Sequence, residues 1–248
     1  MMGTTLVMAP PGDRLAAAVC RRVAHPIWHS RGHLPEALGI ELDPQGRLLG
    51  GQFTPARARL PVRLADLTGV LFRPGPRWFA GRATSSPARR FIDYETKATW
   101  AAWLDAMPCP VVNRMGPSWF VDPQGYRAHL AVDLARRLGL ALHPDGAWKT
   151  SRRAPRARAA SIRSAYWVDG EVLAASADAL RPSLAADLQA RAATLRQWAA
   201  AAGLSLVRID CVAADGWSID GVDPMPGMAD EGDALLDVAG ARLAKAIE

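Results

Sequence analysis

The chain has too few cysteines for a disulfide framework: Cys20, Cys109 and Cys211 are odd in number and far apart among 248 residues. A reducing compartment is therefore expected, because small secreted domains use paired cysteines as staples. No apolar run approaches the ~20 residues that a helix needs to cross a bilayer, so no membrane partner is expected. The first residues, MMGTTLVMAPPGDR, lack the basic start and long apolar stretch of a secretory signal, and a cytoplasmic location is the expectation. No serine sits in a G-x-S-x-G elbow and no cysteine has a motif partner, which leaves covalent catalysis without support. The PPGD loop after the first apolar run is not a G-x-G-x-x-G fingerprint, so no dinucleotide site is read there. His25, His29 and His33 recur every four residues. Pro26 and Gly32 argue against a continuous helix, however, and no Cys or acidic ligand accompanies them, so zinc is set aside.

Half of the residues are hydrophobic, enough for one domain or two small ones to bury a core without staples. The net charge of +6 favours acidic partners such as nucleotides, nucleic acid or an acidic peptide. Lysine is scarce and arginine and alanine abundant, so a codon bias toward G and C explains the same charge equally well.

Strand and helix signals alternate along the chain. TTLVM (4–8) predicts a strand, and Asp13 can cap a helix carrying Leu15, Val19 and Arg22. Residues 40–66 read as irregular or hairpin-like, and GVLFR (69–73) as a strand. A helix is predicted over 91–107, with Trp100, Trp103 and Met107 on a core face, followed by the strand CPVVN (109–113). A helix over 127–138 carries Leu130, Leu134 and Leu138 and stops at Gly139. Further helices are predicted over 184–202 and 233–247. The pattern is that of an α/β or α+β fold. The basic stretch RRAPRARAASIR (152–163) comes with no RNA-binding or helix-turn-helix signature.

The clearest local signal is a hairpin. SLVRIDCVA (205–213) and WSIDGVD (217–223) are alternating runs joined across Asp215-Gly216, a favoured two-residue turn. With Ala214 opposite Trp217, Arg208 falls opposite Asp223 and Asp210 opposite Gly221, all on one face. Asp210 and Asp223 are then diagonal neighbours, with Cβ atoms roughly 7–8 Å apart or somewhat less. Two carboxylates so placed can share magnesium with substrate phosphates. They equally suit a solvated face with an Arg–Asp cross-strand pair.

The run VRIDCVAADGWSIDGVDPMPG resembles the closing hairpin of the ATP-grasp superfamily, in which an R-x-D strand is followed by an E-x-N-x-x-P-G strand. CPVVNR, RAHLAVDLARRLGLALHP, SIRSAYWVDGEVLAA and GVLFRPGP are similar to other segments of RimK- and glutathione-synthetase-like members. The resemblance implies a pre-ATP-grasp-like α/β domain over 1–113 and a truncated ATP-grasp-like domain over 114–248. It implies ATP and Mg2+ as cofactors, with Asp210 and Asp223 as metal ligands and Arg208 directed at the reacting acyl oxygen. Lys149 and Arg163 would contact ATP phosphates. Two departures stand out. Gly221 replaces the family's glutamate and Asp223 its asparagine, and between Leu140 and Arg163 there is room for only part of the usual ATP-clamping subdomain. The implied activity is carboxylate–amine ligation through an acyl phosphate on a peptide or amino-acid substrate. The alternatives are an inactive relative that binds a peptide, a partner protein or a second copy of itself and, third, a basic nucleic-acid-binding protein.

Overall fold

The apolar run at the start forms β1 (Thr4–Met8) in a computed structural model that describes residues 3–30, 39–45, 48–54, 61–74, 86–146, 162–175, 183–213 and 216–248. The chain divides into two compact units, Met1–Val121 with Gly240–Glu248, and Asp122–Ala239.

In the first unit, α1 (Arg14–Cys20) starts where Asp13 caps it, Oδ1 accepting from the Ala16 N–H at 2.9 Å. After β2 (Pro26–His29), the stretch expected to be irregular or hairpin-like forms a small antiparallel sheet of β3 (Gly39–Leu42), β4 (Leu48–Phe53) and β5 (Val62–Arg63). Then come β6 (Leu67–Phe72), α2 (Pro87–Asp105), β7 (Val111–Val112) and α3 (Pro117–Val121). Strands β2, β1, β6 and β7 lie side by side in that order, all parallel. Because the central strands are buried on both faces, they read as unbroken apolar runs rather than as alternation. Helix α2 begins four residues before the expected Phe91, since Pro87 sits in its first turn with φ already set for helix. Of CPVVN only Val111 and Val112 form the strand; the Pro110 carbonyl accepts from the Val70 N–H at 2.9 Å, and Asn113 turns to φ +57°.

The core of this unit is aromatic. Trp100 and Trp103 pack edge to face at 5.4 Å, Phe53 lies 5.7 Å from Trp103, and His29 lies 5.2 Å from Phe53. His29 is therefore a core side chain, 1% exposed. Arg73, also buried, donates from Nε to Asp13 Oδ2 at 3.0 Å, so one carboxylate ties the end of β6 to the start of α1.

In the second unit, α4 (Pro123–Leu138) starts four residues earlier than its apolar stripe suggests. Asp122 caps it through the Gly125 N–H at 2.9 Å, and Pro123 follows the cap. Gly139 ends it in the left-handed conformation, φ +64°. Next are β8 (Ala141–Leu142), β9 (Ile162–Val168) and β10 (Glu171–Ala174); β9 and β10 turn through Asp169 and Gly170, both at positive φ as a type I′ turn requires. The single helix expected over 184–202 is two, α5 (Ser183–Gln189) and α6 (Ala192–Ala201). Two tertiary bonds flank the break: Gln189 accepts from the Val172 N–H on edge strand β10 at 3.0 Å, and the Arg191 guanidinium donates to the Leu138 carbonyl at 2.7 Å. The alanine-rich sequence favours helix throughout, so it is these contacts with other elements that accompany the break. Strands β11 (Leu206–Ala213) and β12 (Trp217–Asp223) follow, then α7 (Asp233–Ile247), which from Gly240 onward belongs to the first unit. The sheet order is β10-β9-β11-β12-β8, antiparallel except for β8 beside β12.

Gly69 in β6 lets the end of α7 approach: a Cβ there would lie 2.7 Å from Ile247 Cβ, against that residue's carbonyl as well. Gly69→Ala should cost about 1–3 kcal/mol through overpacking. The check is the shift of the denaturation midpoint, and an unchanged midpoint would show that the helix end yields freely.

Candidate active site

Strand β11 occupies the middle of the second unit's sheet, between β9 and β12. Arg208 pairs with Asp223 on one side and Tyr166 on the other; Asp210 pairs with Gly221 and Ser164. Cross-strand partners share a face, so Ser164, Tyr166, Arg208, Asp210 and Asp223 form one polar patch. The alternate residues Val207, Ile209 and Cys211 are buried. The outer half of the hairpin thus has the expected register. The inner half does not: Ala213, rather than Ala214, stands opposite Trp217. A bulge between Asp210 and Cys211 absorbs the difference, leaving Asp220 as the extra residue of β12. Asp215 of the expected turn lies outside the described residues; Gly216 takes φ +135°.

Asp210 is the hub of the patch. Ser164 Oγ donates to its Oδ1 at 2.6 Å, and Arg208 Nε donates to Oδ2 at 3.1 Å. Burial raises the Asp210 carboxyl above the ordinary carboxylate range, and Arg208 and Ser164 only partly offset it. For Arg208 burial works against the charge, yet the carboxylates of Asp210 and Asp223 outweigh it and hold the guanidinium firmly protonated. Its side chain keeps a third of its surface open, so the cation is fixed in direction while still reachable. Asp223 Oδ1 accepts from Arg127 Nη2 at 2.9 Å and from the Met225 N–H at 3.1 Å. Tyr166 donates its hydroxyl to Glu231 Oε1 at 2.7 Å; burial first, then that bond, raises the phenol well above its ordinary pKa and keeps it a donor.

Of the residues proposed from sequence, the structure gathers Arg208, Asp210 and Asp223. Arg163 stands opposite Cys211 and so lies on the other face of the sheet. Lys149, and the shortened segment around it, lie outside the described residues. Ser164, Tyr166, Arg127 and Glu231 went unnoticed in the sequence. The first two alternate with Arg163 along a strand whose face only pairing with β11 reveals. Arg127 is 96 residues from Asp223, and no local pattern links them. The bulge does not add a ligand beside Gly221: Asp220 is 1% exposed, its Oδ1 4.0 Å from His143 Nδ1. Among the described residues no three His, Cys, Asp or Glu side chains are grouped to hold a metal ion. Asp210 and Asp223 remain as hard oxygen donors of the kind magnesium takes. Cys211, its thiol pushed up to about 12 by burial, is no nucleophile.

No protein-family model matches the chain, and no curated protein matches it in sequence. Solved structures do match in fold. Macrocyclase MdnC of Microcystis aeruginosa MRC, solved with its precursor peptide MdnA, superposes with a TM-score of 0.63 at 12% identity over 98% of this chain and 99% of its own. A RiPP-associated ATP-grasp ligase of Chryseobacterium gregarium, solved with ADP and a leader and core peptide, gives 0.60 at 10% identity over 99% and 95%. ATP-grasp ligase PsnB, solved with a phosphomimetic precursor variant, Mg and ADP, gives 0.57 at 14% identity over 99% and 97%. The chain has the ATP-grasp fold. None of its described helices is long and apolar enough to cross a membrane.

The raised Asp210 carboxyl has a consequence for stability. Above the ordinary value of 3.8 the folded state holds this proton more tightly than the unfolded state, so stability falls as pH rises through the window from 3.8 to the raised value. In metal-free buffer the wild type should therefore lose stability relative to Asp210→Asn as pH rises toward neutrality. Denaturant unfolding of both across pH checks this, and a constant difference would mean a carboxylate that titrates as in water.

Proposed function

We propose that the chain is a peptide-directed ATP-grasp ligase, which activates a carboxylate as an acyl phosphate and passes it to an amine. The observation that carries the reading is the Ser164–Asp210–Arg208 cluster in the middle of the sheet, set on a fold shared with ligases whose solved complexes contain precursor peptides, ADP or Mg. Fold alone would be analogy; the cluster adds a site whose charges suit the chemistry.

Each residue has a part. Asp210 would hold the magnesium of Mg-ATP, which when bound neutralises phosphate charge, with Asp223 on the same face. Ser164 fixes the Asp210 rotamer through one oxygen and Arg208 through the other, so the carboxylate meets a cation without reorganising. Arg208, anchored from Nε, keeps its terminal N–H groups for the oxygen on which negative charge develops as the amine attacks. Tyr166, held by Glu231, packs beside Arg208 and limits the directions it can swing. Arg163 and Lys149 are not needed for this arrangement, and phosphate contact by either would be additional.

Calorimetry of the purified protein with ATP and Mg2+ tests the reading. The wild type should bind nucleotide in a magnesium-dependent way, and Asp210→Asn should weaken that binding by about tenfold or more. Asp223→Asn should leave it within a few-fold, because Arg127 already neutralises Asp223 and a neutral amide does not repel phosphate. Equal binding by wild type and Asp210→Asn, or none by either, would reduce the cluster to a structural ion pair. The chain would then be better described as a peptide-binding relative.

A further inference from the structure

We infer that Arg127 stands at Asp223 in the place of a divalent cation, so that this face takes at most one such ion, at Asp210. The inference rests on the ligase reading and refines it.

Asp223 already has its positive charge. Oδ1 receives Arg127 Nη2 at 2.9 Å together with the Met225 N–H at 3.1 Å, and Arg208 stands directly across the ladder. The two guanidiniums of Arg127 and Arg208 balance the two carboxylates of Asp210 and Asp223 before any ion arrives. A metal approaching Asp223 would meet a like charge at hydrogen-bond range from the oxygen it needs. Among the described residues, the positions beside Asp210 add no free donor for a second ion, and Glu231 is engaged by Tyr166. Gly221, opposite Asp210, has no side chain, and Asp220 is buried beside His143. Arg127 itself is 39% exposed, so the guanidinium that neutralises Asp223 can also receive phosphate oxygens, as a fork of N–H donors does well. The chemical class it would recognise is the phosphate group of a nucleotide.

Manganese(II), added to the full chain without nucleotide and followed by spin resonance and calorimetry, tests this. The wild type should hold no more than one ion per chain. Arg127→Met should bind manganese about tenfold tighter by freeing Asp223, and Arg127→Met combined with Asp223→Asn should return to the wild-type affinity. Two ions on the wild type would overturn the inference. So would unchanged affinity in Arg127→Met, or in Arg127→Gln should the methionine variant fail to fold by circular dichroism. Because no nucleotide is present, failure of ATP to bind would end the ligase reading and leave this comparison standing.

Discussion

A carboxylate in the middle strand of a covered sheet must be compensated, and the polar face of the second unit is organised around that demand. Asp210 is flanked on both sides by neighbouring strands, and burial alone pushes its proton affinity up. Ser164 from β9 and Arg208 from its own strand supply the compensation, one to each oxygen. Arg208 then stands across from Asp223, which draws Arg127 from α4. Each charge makes the next one necessary. The result is a chain of alternating sign, Asp210–Arg208–Asp223–Arg127, in which both guanidiniums stay partly exposed.

The bulge in the hairpin adjusts this arrangement. Without it, the three residues between Ala213 and Trp217 would put β12 out of step and turn Asp223 away from Arg208. With it, the outer register is kept and the mismatch is confined to Asp220, which is buried and spaced 4.0 Å from His143. Gly221, opposite Asp210, adds no carboxylate there, and the charges of Arg127 and Arg208 balance those of Asp210 and Asp223.

The similarity to MdnC and to the other peptide-bound ligases covers nearly the whole chain at 10–14% identity. At that distance the similarity speaks for the arrangement of strands and helices, and function has to be argued from the patch itself. The patch holds a buried, oriented carboxylate, a cation fixed by it, and a serine hydroxyl that holds the carboxylate from the other side.

Much was legible in the sequence because it is local. The Asp13 cap, the stripe of Leu130, Leu134 and Leu138, the Gly139 stop and the alternation of β11 and β12 are each written within a few residues, where periodicity and capping act. Counting outward from Ala214 opposite Trp217 gave the pairing of Arg208 with Asp223, which the structure reaches from Ala213 by way of the bulge. Three features were decided by tertiary structure. The break between α5 and α6 is flanked by bonds from Gln189 to Val172 and from Arg191 to Leu138, contacts between segments far apart in the chain. The bulge at Asp220 restores the outer β11–β12 register after a pairing that begins at Ala213 opposite Trp217. The company kept by Asp210 and Asp223, namely Ser164, Arg127 and the Tyr166–Glu231 pair beside them, comes from residues about 40 to 100 positions away, given the register of this sheet. A sequence determines which side chains alternate to a face. Which distant strand or helix end meets that face depends on how the whole apolar surface is buried, since hydrophobic burial is non-directional and specifies no single partner in advance.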